Sequence, residues 1–208
     1  MDTAAVGQGE LIDWGVAARA LAGEARSGDS YVVEPFPGGV LVAAVDGLGH
    51  GDEAADAARA ATDILSQHPD EPPVSLVRRC HEGLRATRGV AMSLASFGRM
   101  THTMSWLAVG NVEGLLFKRD TEWRTVRESL LLRGGVVGYR LPTLLPSVVS
   151  VGAGDVLVFA TDGIRTGSFD GLRMTNPPAK IAEDIVARFS RGTDDALALV
   201  ARYRGERS

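Results

Sequence analysis

Cysteine is almost missing from this chain: its 208 residues include one, Cys80. No disulfide can close within the chain, which excludes a disulfide-stapled scaffold and points to a reducing cytoplasm. The spacing of Cys80 with Leu76, Val77 and Leu84 puts it on the apolar face of a helix, so packing is its expected role. Four histidines and one cysteine form no cluster of zinc type. Charge of one sign is also lacking. The formal net charge is -4, and the densest basic pair is Arg78-Arg79 in a helical stretch, which leaves no footprint for nucleic acid. No apolar run approaches the ~20 residues of a membrane helix. The opening MDTAAVGQGE has neither the basic start nor the apolar centre of a signal peptide. Catalytic signatures are absent too. There is no Gly-x-Ser-x-Gly around Ser30, Ser93 or Ser96, and Asp46-Gly47-Leu48 lacks the second aspartate of an Asp-x-Asp phosphatase.

The chain is 45% hydrophobic and 23% charged, the balance of a soluble protein with a real core. Its length fits one domain, residues 1–208, expected to be monomeric. Strands are expected at Trp14–Leu21, Tyr31–Val33 and Val40–Val45. Beyond Gly51 the period changes to a helical one, with Ala54, Ala58, Ala61 and Leu65 on one face. Pro72-Pro73 opens a second helix. The middle reads as short strands: Val90–Phe97, Met104–Val109, Gly114–Lys118 and Trp123–Arg127, with a turn at Gly110-Asn111. Leu130–Pro146 reads as an ordered loop plus a strand. A strand at Val156–Ala160, a polar loop at Asp162–Asn176, a helix after Pro177-Pro178 and a last strand at Leu197–Tyr203 complete the pattern. Hairpin-linked strands predict antiparallel sheets covered by helices.

Three stretches carry the candidate chemistry. Gly39–Val45 (GVLVAAV before the aspartate) stops at Asp46-Gly47, Val156–Ala160 stops at Thr161-Asp162-Gly163, and Gly192-Thr193-Asp194-Asp195 precedes Ala196–Val200. Each aspartate sits where an apolar strand meets a loop. Met at one edge, they would form a cluster of hard oxygen ligands that repels itself without divalent cations. Each Asp-Gly alone is also an ordinary turn, and an Asp pair before a strand is also a common cap. The residues alone leave both readings open.

Gly28-Asp29, Ala43–Gly51 (AAVDGLGHG), Gly110-Asn111-Val112, Ala160–Ile164 (ATDGI) and Thr193–Ala196 (TDDA) occur in an order that resembles the PPM family of metal-dependent serine/threonine protein phosphatases. DGLGHG and the small size resemble its bacterial branch, closest to the stressosome feedback phosphatases, the RsbX family. The resemblance implies an α+β fold, a two-layer antiparallel β-sandwich flanked by helix pairs, and the length leaves no room for the flap of longer members. It implies two divalent cations, Mn2+ or Mg2+, whose bridging hydroxide attacks the phosphoester. Asp46 resembles the bridging ligand, Gly47 gives its carbonyl, and Asp162 and Asp194 resemble further ligands. Asp29 resembles an acid that holds metal-bound water, and Asp195 one that supports the loop.

There are departures from the pattern. Leu48 stands where longer members carry an acid histidine, His50 lies beyond it, and Arg26 is offset from the usual phosphate-clamping arginine. The expected activity is dephosphorylation of phosphoserine or phosphothreonine in a stressosome scaffold-type protein, which resets a stress signal. Arg165, Arg173, Arg140 and Tyr139, on loops beside the site, are candidates for gripping the substrate. The alternative is a catalytically silent adaptor on the same fold.

Overall fold

A computed structural model describes residues 2–119, 125–166 and 169–205. The chain begins with β1 (Asp2–Gln8), β2 (Ile12–Arg19), β3 (Asp29–Phe36) and β4 (Gly39–Gly47). Two helices follow, α1 (Asp52–Gln67) and α2 (Pro73–Gly83). Then come β5 (Val90–Gly98), β6 (Thr103–Val109), β7 (Glu113–Arg119), β8 (Thr125–Ser129), β9 (Ser147–Ser150) and β10 (Val156–Ala160). Helix α3 (Pro178–Phe189) and strand β11 (Ala196–Tyr203) end the order. Every strand pairing is antiparallel, in one sheet ordered β1-β2-β11-β10-β7-β8 and another ordered β3-β4-β5-β6-β9.

The runs that are apolar at every position are explained by burial on both faces. In β4, Val40, Val42 and Ala44 face the core between the sheets, while Leu41, Ala43 and Val45 pack with Ala57, Ala61 and Leu65 of α1 and Leu76 and Cys80 of α2. In β10 and β11, Leu157, Phe159, Leu197 and Leu199 face inward, while Val158, Ala198 and Val200 pack with Ile181, Ala182 and Ile185 of α3. The layers therefore run helix pair, sheet, sheet, α3. Pro73 and Pro178 each start a helix where a missing N–H costs nothing. Among the described residues, no helix is long and apolar enough to cross a membrane.

Three expectations need correction. The N-terminal segment forms β1, paired with β2 along its whole length, where no strand was expected. Gly110-Asn111 is not a hairpin turn, because β6 and β7 belong to different sheets and the segment carries the chain from one to the other. Residues 130–146 hold no named strand, only the isolated bridges Val90↔Val137 and Val136↔Arg140, and the strand begins at Ser147. Strand β8 lies at Thr125–Ser129, while Trp123 and Arg124 lie outside the described residues.

Candidate metal centre

Antiparallel pairing of β10 and β11, with Ala160 opposite Ala198, brings the end of one beside the start of the other. Asp162 and Asp194 therefore meet at one edge. In the facing sheet, β3 and β4 pair with Asp29 directly opposite Asp46. Two contacts join the edges across the sandwich. The Thr161 hydroxyl donates to Asp29 Oδ2 at 2.7 Å, and the backbone N–H of Gly28 donates to Asp195 Oδ2 at 2.7 Å. Five carboxylates thus share one end of the molecule.

Their electrostatics show the crowding. Burial first, then the charges of Asp162, Asp194 and Asp195, push the Asp46 carboxyl up to about 7. Asp29 is held well above the ordinary carboxylate range by burial and then by Asp46, against the pull of its Thr161 hydrogen bond. Asp162 is also raised, by desolvation and then Asp194, with Arg191 and the Asn111 hydrogen bond opposing. Like charges this close disfavour joint ionisation unless a cation is shared.

The backbone fixes the carboxylates' places. A Cβ on Gly47 would lie 2.1 Å from the Ala54 carbonyl, so only glycine lets α1 start against the end of β4. A Cβ on Gly163 would lie 1.8 Å from the Asp195 carbonyl, so the Asp162 turn is pressed onto the Asp194-Asp195 turn. Asp195 is buried, and its other oxygen accepts from Leu21 N–H at 2.7 Å. Its own N–H donates to Asp194 Oδ1 at 2.9 Å. Asp195 therefore clamps three chain segments, while Asp194 remains partly exposed. Gly47 receives support from Gly28, whose carbonyl accepts its N–H at 3.0 Å.

The residues proposed from motif order are thus brought together: Asp29, Asp46, Gly47, Asp162, Asp194 and Asp195. Three contributors were not assigned from sequence. Asn111 donates from Nδ2 to Asp162 Oδ2 at 2.6 Å, holding one carboxylate oxygen. Thr161 is fully buried and also accepts the Leu197 N–H at 2.9 Å. Arg191 joins through its backbone N–H, which donates to the Gly163 carbonyl at 2.8 Å. The motifs contained Asn111 and Thr161, but only the fold shows whom they touch.

Other candidates are not among the clustered side chains. Arg165, Arg173, Arg140 and Tyr139 are exposed, and none of these three arginines enters the electrostatics of the raised carboxylates. His50 pairs with Glu24 at 2.7 Å, and Arg26 with Asp56 at 2.9 Å. Leu48 is anchored by its N–H on the Gly89 carbonyl at 3.1 Å. Cys80 is buried, and its thiol is pushed up to about 12.

The donor set suits Mg2+ or Mn2+ in chemistry: carboxylates and a carbonyl, with no sulfur or imidazole. Among the described residues, no three acidic, histidine or cysteine side chains close on one point as they stand.

The family model described as Stage II sporulation protein E (SpoIIE) matches residues 37–204. A curated relative, "Phosphoserine phosphatase RsbX" of Bacillus subtilis (strain 168), is 27% identical over 100 residues, which is 48% of this chain and 50% of that protein. The match thus spans about half the length of that relative. A structure solved in work on the bacterial stressosome as a modular system for secondary messenger signaling superposes with a TM-score of 0.82 at 28% identity. That superposition covers 92% of this chain and 99% of the other. RsbX in complex with magnesium superposes with a TM-score of 0.85 at 18% identity, over 97% of this chain and 100% of that one. The shared architecture is that of PPM-type phosphatases.

Proposed function

Because the chain belongs to the SpoIIE family, we propose that it is a phosphatase dependent on divalent cations that hydrolyses phosphoserine or phosphothreonine in a regulatory protein. The observation that carries this reading is the edge of carboxylates at Asp46, Asp162 and Asp194, whose mutual repulsion a cation would relieve. Asp46, the Gly47 carbonyl, Asp162 and Asp194 would hold two ions, Mn2+ or Mg2+. Bound divalent cations supply an activated water and offset phosphoryl charge.

The chain's own residues set the geometry. Asp46 sits on a strand buried on both faces, so its place is rigid. Asn111 orients Asp162, and Asp195 locks the loop that carries Asp194. Neither Ser93 nor Cys80 competes as a nucleophile. Ser93 is fully buried and donates to the Val112 carbonyl at 2.6 Å, and Cys80 stays protonated in the core.

The RsbX and stressosome likenesses support a phosphorylated scaffold-type protein as the substrate, in a cytoplasmic signalling complex; that the enzyme acts as a monomer is part of the proposal. The loop after Asp162, with Arg165, and the 134–146 loop, with Arg140 and Tyr139, would read the folded surface around the phosphate, whereas Arg173 adjoins Met174, whose carbonyl accepts from Arg202 away from the carboxylates. Intact carboxylates argue against the silent adaptor, which has no use for crowded like charge.

Chelation should abolish hydrolysis of a small aryl phosphate, and manganese should restore it. Intact phosphoprotein should be a much better substrate than phosphopeptides cut from it. No hydrolysis at any manganese concentration would favour the adaptor, and a trapped phosphoenzyme would overturn the mechanism.

A further inference from the structure

A phosphate dianion that approaches five carboxylates needs positive charge beyond what the cations offset. Three arginines are already engaged. Arg26 pairs with Asp52 and Asp56, and Arg88 with Glu53. Arg188 donates to the Asp170 carbonyl at 2.8 Å and to the Gly171 carbonyl at 3.4 Å.

Arg191 is different. It sits in the turn between α3 and β11, and its backbone is tied beside the Asp162 turn twice. Its N–H bonds the Gly163 carbonyl at 2.8 Å, and the neighbouring Ser190 bridges Ile164. Gly163 is itself immobilised against Asp195. The Arg191 side chain is exposed, and among the described residues it makes no close ion pair. The tie to Gly163 sets its backbone beside the Asp162 turn, and its charge opposes the rise of the Asp162 carboxyl.

We propose that Arg191 grips the phosphate of the substrate phosphoserine or phosphothreonine, as a binding residue supplied by the turn that leads into Asp194. The inference rests on the phosphatase reading above. A guanidinium offers two parallel N–H donors that match two phosphate oxygens, which a point charge cannot do. Held by its backbone, Arg191 meets the phosphate with its Cα already placed, so only the side chain has to order.

The test uses the whole chain loaded with manganese, with Arg191→Ala, Arg191→Lys and, as a control at the far end of the sandwich, Arg204→Ala. Competitive inhibition of aryl phosphate hydrolysis by inorganic phosphate should weaken on the order of tenfold or more in Arg191→Ala. Arg191→Lys should recover part of the loss, and Arg204→Ala should match the parent. Manganese affinity, measured by calorimetry, should hold or tighten in Arg191→Ala, because a positive charge beside Asp162 is gone. An unchanged inhibition constant overturns the proposal. So does weaker manganese binding with unchanged phosphate inhibition, which would make Arg191 a prop for Asp162. If the parent hydrolyses nothing, the phosphatase reading fails, and calorimetric binding of inorganic phosphate to the manganese-loaded proteins still decides whether Arg191 holds phosphate.

Discussion

The two ends of the sandwich treat charge in opposite ways. At the far end, Asp13 meets Arg204 at 2.9 Å and the Asp155 carboxylate accepts the Gly152 N–H at 2.9 Å. The Tyr203 hydroxyl and His102 Nδ1 lie 3.1 Å apart, and Arg202 donates to the Met174 carbonyl at 2.7 Å. Each of these polar groups has a complementary partner. At the near end, Asp29, Asp46, Asp162, Asp194 and Asp195 face one another, with Arg191, Asn111 and Thr161 in partial opposition. One end closes the fold, and the other keeps an electrostatic debt that a ligand can settle. Cavity size does not reveal this. A cleft of about 580 Å³ between Trp14, Pro178 and Arg202 lies at the far end, away from the clustered aspartates.

Substitutions at the two ends should therefore diverge, most of all at Asp46. Asp46→Asn should cost turnover on the order of a thousandfold, a large loss of the kind seen when an electrostatic group is removed from a reaction centre. Asp162→Asn and Asp194→Asn should chiefly raise the manganese concentration needed. Steady-state kinetics across a manganese titration would show it, and near-normal turnover of Asp46→Asn at low metal would break the contrast between the ends.

Stability against pH should expose the crowding next. A carboxylate with a lowered folded pKa adds stability above its unfolded pKa, but Asp46 is raised, so the sign reverses. Its folded form prefers the proton, and stability is lost as pH rises from 3.8 toward about 7. The loss from this group is on the order of 4 kcal/mol. Chelated protein should melt at lower temperature at pH 7.5 than at pH 5, Asp46→Asn should flatten the slope, and added magnesium should reduce it. Equal melting temperatures across that range would mean that the near end is no more strained than the far one.

The smallest contrast concerns aspartates that hold structure. Asp195→Ala would orphan the Leu21 and Gly28 N–H groups and should cost about 3 kcal/mol. Arg204→Ala breaks a partly exposed ion pair and should cost less than ~1 kcal/mol. Denaturant unfolding of both variants would rank them, and a reversed order would sink the account of Asp195 as a clamp.

The strands that deliver the near end were legible because burial on both faces leaves a simple trace, an unbroken apolar run cut off at an aspartate. Asp46 and Asp162 could be placed at strand ends on that basis alone. What completes the site was not legible, because its partners are far apart along the chain. Asp195 binds the backbone of Leu21 and Gly28, and Asn111 reaches Asp162, through contacts that no local pattern encodes. Gly110-Asn111 has turn chemistry, but residue preference says nothing about whether the next strand stays in the same sheet. β1 was missed because DTAAVGQ has little strand preference of its own and is a strand through pairing with β2. The 130–146 segment lacks periodicity because isolated bridges, not a ladder, hold it.

The Thr161 hydroxyl carries one hydrogen, given to Asp29 of the opposite sheet, while its oxygen takes the N–H of Leu197 in its own. The separation of the two sheets is thus gauged at the chemistry itself. A swollen or collapsed interior, however well tolerated by folding, would pull Asp29 from its place before it unfolded anything. Residues such as Ala44 and Phe159, which touch no substrate, are then held to their volumes by turnover as much as by stability.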